Sequence, residues 1–282
     1  MTFSVVASDG SAWGVAVASK FLAVGAAVPA GRAGVGAIAT QSWANLAYRP
    51  EGLALLGEGR SAQQVVDALV TADDGRERRQ LGIVDAAGRA ATYTGGRCQS
   101  WAGGIAGDGY AIQGNILTGP EVIEAMQAAW LGSDPGRPLP WRLLAALEAG
   151  DAAGGDRRGR QSAALLALAP GAGYLGGSDQ LMDLRVDDHE TPIPELARLM
   201  DCHEELFGPV DPDTALPLTG MLADEVFDRL TALGHPPTGS EPAALDAALA
   251  AWAGVENFEE RLVPGRIDPR VLDALRTSPD SG

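Results

Sequence analysis

Residues 2–20 read TFSVVASDGSAWGVAVASK. Two short, apolar, β-prone runs flank Asp9-Gly10, a pair that favours a tight turn, so the stretch predicts a hairpin. A turn between Asp9 and Ala12 sets the start of the first strand beside the end of the second. Thr2 then stands at the mouth of the first strand, with Lys20 as a close neighbour. Lys20 is the only lysine among 21 basic residues; the rest are arginine. In an Ala- and Gly-rich chain biased towards arginine, one surviving lysine marks a place that needs a compact ammonium with a shiftable pKa. Arginine, bulky, planar and always protonated, does not offer that.

The hairpin gives Thr2 a chemical meaning. Removal of Met1 would put a hydroxyl and a free amine on one residue. A free α-amine titrates at about 7.7–8.0, which suits a general base at neutral pH. Threonine paired with its own amine is a known way to activate a nucleophile. An ammonium at Lys20 would lower the pKa of that amine and favour the alkoxide during attack.

Further along, 23–31 (AVGAAVPAG) and 34–41 (GVGAIATQ) read as strands, with a turn at Gly31–Gly34. Helical spacing follows over 49–59 and over 61–72, the latter with Ser61 as N-cap. Residues 80–95 form a hairpin turning at Ala87-Gly88, and 109–117 another strand. Helices cover 118–132, opened by Thr118 and Pro120, and 140–150; strands cover 162–170 and 181–188, and a helix 190–208. Grouped strands and grouped helices do not make a βαβ alternation. They predict an α+β architecture of antiparallel sheets packed face to face under helices. Neither GxGxxG after a strand nor GxxxxGK[ST] occurs, so no nucleotide cofactor is indicated.

A boundary is expected at Phe207–Pro212, dividing a first domain, 1–208, from a helical module, 211–282. The net charge is −16, and from Asp211 onward 13 acidic residues face 5 basic ones, a net of −8. Such acidity disfavours nucleic acid. No apolar run reaches the roughly 20 residues of a membrane span, and no secretory leader pattern is read at the start. Cys98 and Cys202 read as free thiols, which places the protein in the cytoplasm. A homo-oligomer, a dimer first of all, is expected.

Five stretches carry a resemblance: TFS through GVAVASKFLAVG (14–25), GVGAIATQSWAN (34–45), RQLGIVDAAGR (79–89), YAIQGNILTGPEV (110–122) and GGDRRGRQSAALL (154–166). Over about residues 2–207 they resemble the bacterial and archaeal family known as domain of unknown function 1028, which is placed among the N-terminal nucleophile hydrolases. The tail, in AWAGVENFEER (251–261) and IDPRVLDALR (267–276), resembles a peptidoglycan-binding-like module. The resemblance implies a four-layer αββα sandwich and amide hydrolysis through an N-terminal Thr, Ser or Cys. Thr2 matches the nucleophile position, and Lys20 resembles the proteasome-type lysine in role.

Acyl transfer also needs donors for the developing oxyanion. Gln41 and Asn115 carry amides at strand ends and are the candidates. Arg157, Arg158 and Arg160 could hold a substrate carboxylate in a bidentate fork, while Asp156 and Ser162 could bond to the nucleophile's amine. Asp183, Arg185, Asp187, Asp188 and His189, with Cys202 and His203, lack HExxH or paired CxxC spacing, so strand-end salt bridges are expected there in place of a metal. Trp13, Trp43, Tyr48, Trp101 and Trp130 are expected in the core. The leading expectation is an amidohydrolase acting on a small anionic amide; the rival is a noncatalytic protein binding a ligand or partner through sandwich and tail.

Overall fold

The computed structural model describes residues 2–239 and 241–279. The chain begins with the hairpin of β1 (Thr2–Ser8) and β2 (Trp13–Ser19), then makes one helical turn, α1 (Val24–Ala27). Strands β3 (Pro29–Arg32) and β4 (Gly36–Ser42) lead to helices α2 (Tyr48–Gly57) and α3 (Ala62–Thr71). Four strands follow: β5 (Arg79–Asp85), β6 (Ala90–Thr94), β7 (Gly103–Gly107) and β8 (Tyr110–Asn115). Helices α4 (Glu121–Gly132) and α5 (Leu139–Ala152), strands β9 (Ser162–Leu168) and β10 (Gln180–Val186), and helix α6 (Pro192–Phe207) complete this part.

The opening turn forms as expected. Asp9 Oδ1 accepts from the backbone N–H of Ser11 and Ala12 at 2.9 and 2.8 Å. Gly10 takes φ +91°, a conformation that costs glycine nothing. The register pairs Phe3 with Ala18 and Ser8 with Trp13. The strands form two antiparallel sheets, one ordered β10-β9-β2-β1-β8-β7 and one ordered β3-β4-β5-β6. β1 is therefore an inner strand, fully buried along its length.

Period-two alternation sorts the side chains of β1 between two cores. Val6, with Val15 and Val17 of β2, meets Ala37, Ala39 and Val84 of the second sheet. On the opposite face Phe3 lies against the α5 helix, where a Cβ on Gly150 would come 3.3 Å from the Phe3 ring. The second sheet carries its own helical cover: Tyr48, Leu56, Val65, Val66 and Leu69 pack on Ile38, Leu81 and Ile83. Each such side chain contributes roughly 1.5–3 kcal/mol on burial. The result is the helix–sheet–sheet–helix sandwich that grouped strands and helices call for.

Three local expectations are corrected. Residues 23–28 make a helical turn instead of a strand, entered by Ala23 at φ +52°. Gly25 permits this turn to lie directly on the sheet, since a Cβ there would stand 2.6 Å from the Cβ of Ala164. Strand β7 was invisible in the sequence because Gly103-Gly104-Ile105-Ala106-Gly107 has little intrinsic strand preference; its pairing to β8 supplies the structure. Trp43 lies outside the core at 60% exposure and Trp101 is half-buried, whereas Trp13, Tyr48 and Trp130 are buried as expected.

A second compact unit begins at Met200, so the division falls inside α6, upstream of the Phe207–Pro212 stretch. It contains helices α7 (Gly220–Ala232), α8 (Pro242–Glu256) and α9 (Pro269–Thr277), and two short paired strands, β11 (Leu216–Pro217) and β12 (Arg266–Ile267). Its core is its own, built on Val226, Leu230, Leu249, Trp252, Leu272 and Leu275. A buried ion pair, Arg261–Asp268 at 3.1 Å, ties the segment after α8 to the start of α9.

Candidate active site

The space between the two sheets is apolar at the Asp9 end and polar at the Thr2 end. The change follows from residue type at inward-facing positions: Val6 gives way to Ser4 and Thr2 along β1. β4 supplies Gln41, β5 supplies Gln80, and β8 supplies Gln113 and Asn115; all four are at most 1% exposed. Buried amides cost about 1–3 kcal/mol each when unpaired, and these are paired with one another. Ser4 Oγ donates to Gln41 Oε1 at 2.7 Å and accepts from Gln113 Nε2 at 2.6 Å. Gln41 Nε2 donates to Gln80 Oε1 at 2.8 Å, to the Gln113 carbonyl at 3.2 Å and to the Thr2 carbonyl at 3.4 Å. Asn115 Nδ2 donates to Gln80 Oε1 at 2.9 Å.

Thr2 sits at the end of this network. It pairs with Asn115 on β8, is 6% exposed, and its hydroxyl lies 3.1 Å from Ser19 Oγ. The structure thus brings Thr2, Gln41 and Asn115 together. The two amides differ in what they have left to offer. A carboxamide nitrogen carries two hydrogens; among the described residues Gln41 Nε2 faces three acceptors, while Asn115 Nδ2 faces one, Gln80 Oε1.

Lys20, Asp156, Arg158, Arg160 and Ser162 form an adjoining cluster. The Lys20 backbone N–H donates to Asp156 Oδ2 at 2.8 Å, and its exposed ammonium donates to the Arg160 carbonyl at 3.2 Å. The hairpin register puts Lys20 one residue beyond Ser19, so the hydroxyl beside Thr2 Oγ1 belongs to Ser19 and the Lys20 ammonium reaches the 154–161 loop. Asp156 Oδ1 accepts from the Arg158 backbone N–H at 2.8 Å. The Arg158 and Arg160 guanidiniums, about half exposed, pair with Asp156 at 3.4 Å and Asp151 at 2.8 Å. Ser162 Oγ donates to the Phe21 carbonyl and accepts from the Val24 N–H, so it secures the turn after β2. Arg157 is exposed, and its backbone N–H donates to the Ile116 carbonyl at 3.4 Å.

A third group frames the exit of β4. Ser42 takes φ +68°, turning Trp43 outwards. The Trp43 N–H donates to the Arg78 carbonyl at 3.2 Å, its carbonyl accepts from Arg79 Nη1 at 2.7 Å, and the Arg78 guanidinium lies 5.0 Å from its ring centroid. Arg79 also pairs with Asp73 at 2.8 Å. That hydrogen bond holds the Asp73 carboxyl well below the usual carboxylate range, against the opposing effect of burial, with the Gly75 N–H, the Tyr48 hydroxyl and the Asn45 amide adding to it. Burial and the same Asp73 carboxylate push the Tyr48 hydroxyl above its ordinary value.

Asp183, Arg185, Asp188 and His189 are engaged in local pairs. Asp183 pairs with Arg185 at 2.9 Å, Asp188 accepts from Gln161, and His189 Nδ1 accepts from the Thr191 N–H. Among the described residues no three His, Cys, Asp or Glu side chains converge as a metal site. No helix among them is long and apolar enough to cross a membrane.

Residues 2–196 match the family described as "Family of unknown function (DUF1028)". The chain belongs to the DUF1028 family. Residues 206–275 of this DUF1028 protein match a second family, described as "Putative peptidoglycan binding domain". Among solved structures, the crystal structure of a DUF1028 protein from Silicibacter pomeroyi is similar, with 32% identity over 79% of this chain and 89% of that one, at a TM-score of 0.65. Anbu (ancestral beta-subunit) from Yersinia bercovieri aligns at 13% identity over 71% of this chain and 93% of that one; its TM-score of 0.32 is too low to bear on the fold. No protein of curated function matches. Within this DUF1028 protein, sequence reasoning passed over Ser19, Ser4, Gln80 and Gln113. Counting the hairpin register from Phe3–Ala18 would have found Ser19. Gln80 and Gln113 had no local signal, because their partners lie on other strands.

Proposed function

We propose that this DUF1028 protein is an N-terminal nucleophile amidohydrolase acting on a small anionic amide. The observation that carries the reading is the setting of Thr2: it heads an inner strand, its hydroxyl is 3.1 Å from Ser19 Oγ, and a buried amide network ends at its carbonyl. Loss of Met1 leaves the Thr2 amine as general base, directly or through one water. Thr2 Oγ1 attacks the amide carbon while its proton passes to that amine. The tetrahedral oxyanion takes a hydrogen bond from Asn115 Nδ2, the amide with the fewer acceptors already engaged. Collapse breaks the C–N bond, the departing nitrogen takes the proton, and water then hydrolyses the Thr2 ester.

The Lys20 ammonium, Arg157, Arg158 and Arg160 outnumber their carboxylate partners Asp151 and Asp156 around the 154–161 loop, in a chain whose net charge is −16. Such a surplus draws in an anionic substrate. Lys20 braces the 154–161 loop through the Arg160 carbonyl, Asp156 and Ser162 hold the Lys20–Val24 segment, and the arginines of that loop meet the substrate carboxylate. The test is acylation by a β-lactone, read by peptide mass: the ester forms on Thr2 in the parent and is absent in Thr2→Ala. A parent that remains unlabelled contradicts the reading.

A further inference from the structure

Gln80 is buried, on a strand of the opposite sheet, and belongs to none of the groups assigned above a role in chemistry. Its carboxamide is fixed from both ends. Nε2 is surrounded by three oxygens: the Gly114 carbonyl at 2.7 Å, Thr94 Oγ1 at 2.9 Å and the Gly103 carbonyl at 3.2 Å. A flip of the amide would set Oε1 against those oxygens, so Oε1 is held towards β4 and β8. There it accepts from Gln41 Nε2 at 2.8 Å and from Asn115 Nδ2 at 2.9 Å. These are the two amides that flank Thr2.

We infer that Gln80 is a positioning residue for the Thr2 reaction: it fixes the amide orientation of Asn115 and Gln41, and so aims the second Asn115 amide hydrogen at the developing oxyanion. The inference rests on the N-terminal nucleophile reading above. Preorganised donors act because they need no reorientation as charge develops. Without Gln80 Oε1, the Asn115 amide turns to seek another acceptor and the aim is lost. Among the described residues Gln80 makes no hydrogen bond to Thr2, so its effect is expected at steps that build an oxyanion.

The test compares two electrophiles on the full chain. A β-lactone acylates Thr2 Oγ1 through a tetrahedral oxyanion; a vinyl sulfone adds to the same oxygen without forming one at a carbonyl. In Gln80→Met, lactone labelling is expected to slow by about 10²–10³, the usual effect of one lost oxyanion donor, while vinyl sulfone labelling keeps the parent rate. Gln80→Glu provides a second arm should the methionine variant fold poorly. Its carboxyl replaces the Nε2 donor only when protonated, so its lactone-to-sulfone ratio should fall as pH rises, relative to the parent. Equal slowing of both probes, or no slowing of either, overturns the inference, as does a pH-independent ratio in Gln80→Glu. A parent that neither probe labels at Thr2 overturns the nucleophile reading itself, and the Gln80 role with it.

Discussion

At the scale of single residues, Thr2 and Lys20 stand out for different reasons. Thr2 is held in place by neighbours that are visible atom by atom: Ser19 at its hydroxyl, Gln41 at its carbonyl, Asn115 across the strand pair. Lys20 is singled out by composition and by its place at the hairpin's end, and its ammonium rests on the Arg160 carbonyl. Replacing it tests which of these matters. Lys20→Arg keeps the charge but cannot keep a compact contact to that carbonyl without moving the 154–161 loop. Labelling of Thr2 is expected to slow by about 10²–10⁴, the range typical of acid–base assistance, with the melting temperature unchanged. Parent-like labelling would make the lysine a solvated surface charge. The hairpin, the place of Thr2 at its mouth and the nearness of strand ends bearing Gln41 and Asn115 were legible in the sequence, because a tight turn fixes register over a short distance and both amides stand at strand ends. Which side chain meets the hydroxyl was a matter of one residue in that register, and Ser19, not Lys20, occupies the place.

At the scale of elements, the exit of β4 is set by an ion pair that local pattern does not reveal. Asp73 follows α3 and Arg79 opens β5, and together they hold the Trp43 carbonyl and Asn45 beside the end of the strand that bears Gln41. The Asp73 carboxyl has its pKa depressed in the fold, chiefly by Arg79. A depressed carboxylate contributes stability that is present above the unfolded pKa, about 3.9, and is lost as pH falls through the folded value. Thermal melts across the acid range should therefore show the parent losing stability below about pH 4 more steeply than Asp73→Asn, which lacks that titration. Parallel curves would remove the pair from the account. The same dependence on distant partners hid β7: its glycines gave no strand pattern, yet they allow the close approach of Thr92 and Tyr110 beside Gly104 and Gly107. Helices α3 to α6 were readable because their apolar spacing is a local property. The turn at Val24–Ala27 was not, since short Ala-rich runs fit strand or helix equally.

At the scale of the whole molecule, separate hydrophobic cores argue for separate folding. Among the described residues, the clusters between the sheets and beneath α2 and α3 draw on residues up to Ala164, and the cluster of the second unit draws on residues from Leu206 onward. A chain ending at Val210 is expected to stay folded and to label at Thr2 at the parent rate; an insoluble or inert product would make the tail part of the catalytic body. The chemistry proposed for Thr2 is reached most directly by one measurement. Intact mass followed by peptide mapping of the purified protein, before and after β-lactone treatment, reports both the state of the N-terminus and the acylated atom. The account predicts loss of Met1 and a single acyl ester on Thr2 Oγ1, absent in Thr2→Ala. Retention of Met1 with no adduct on Thr2 would contradict it.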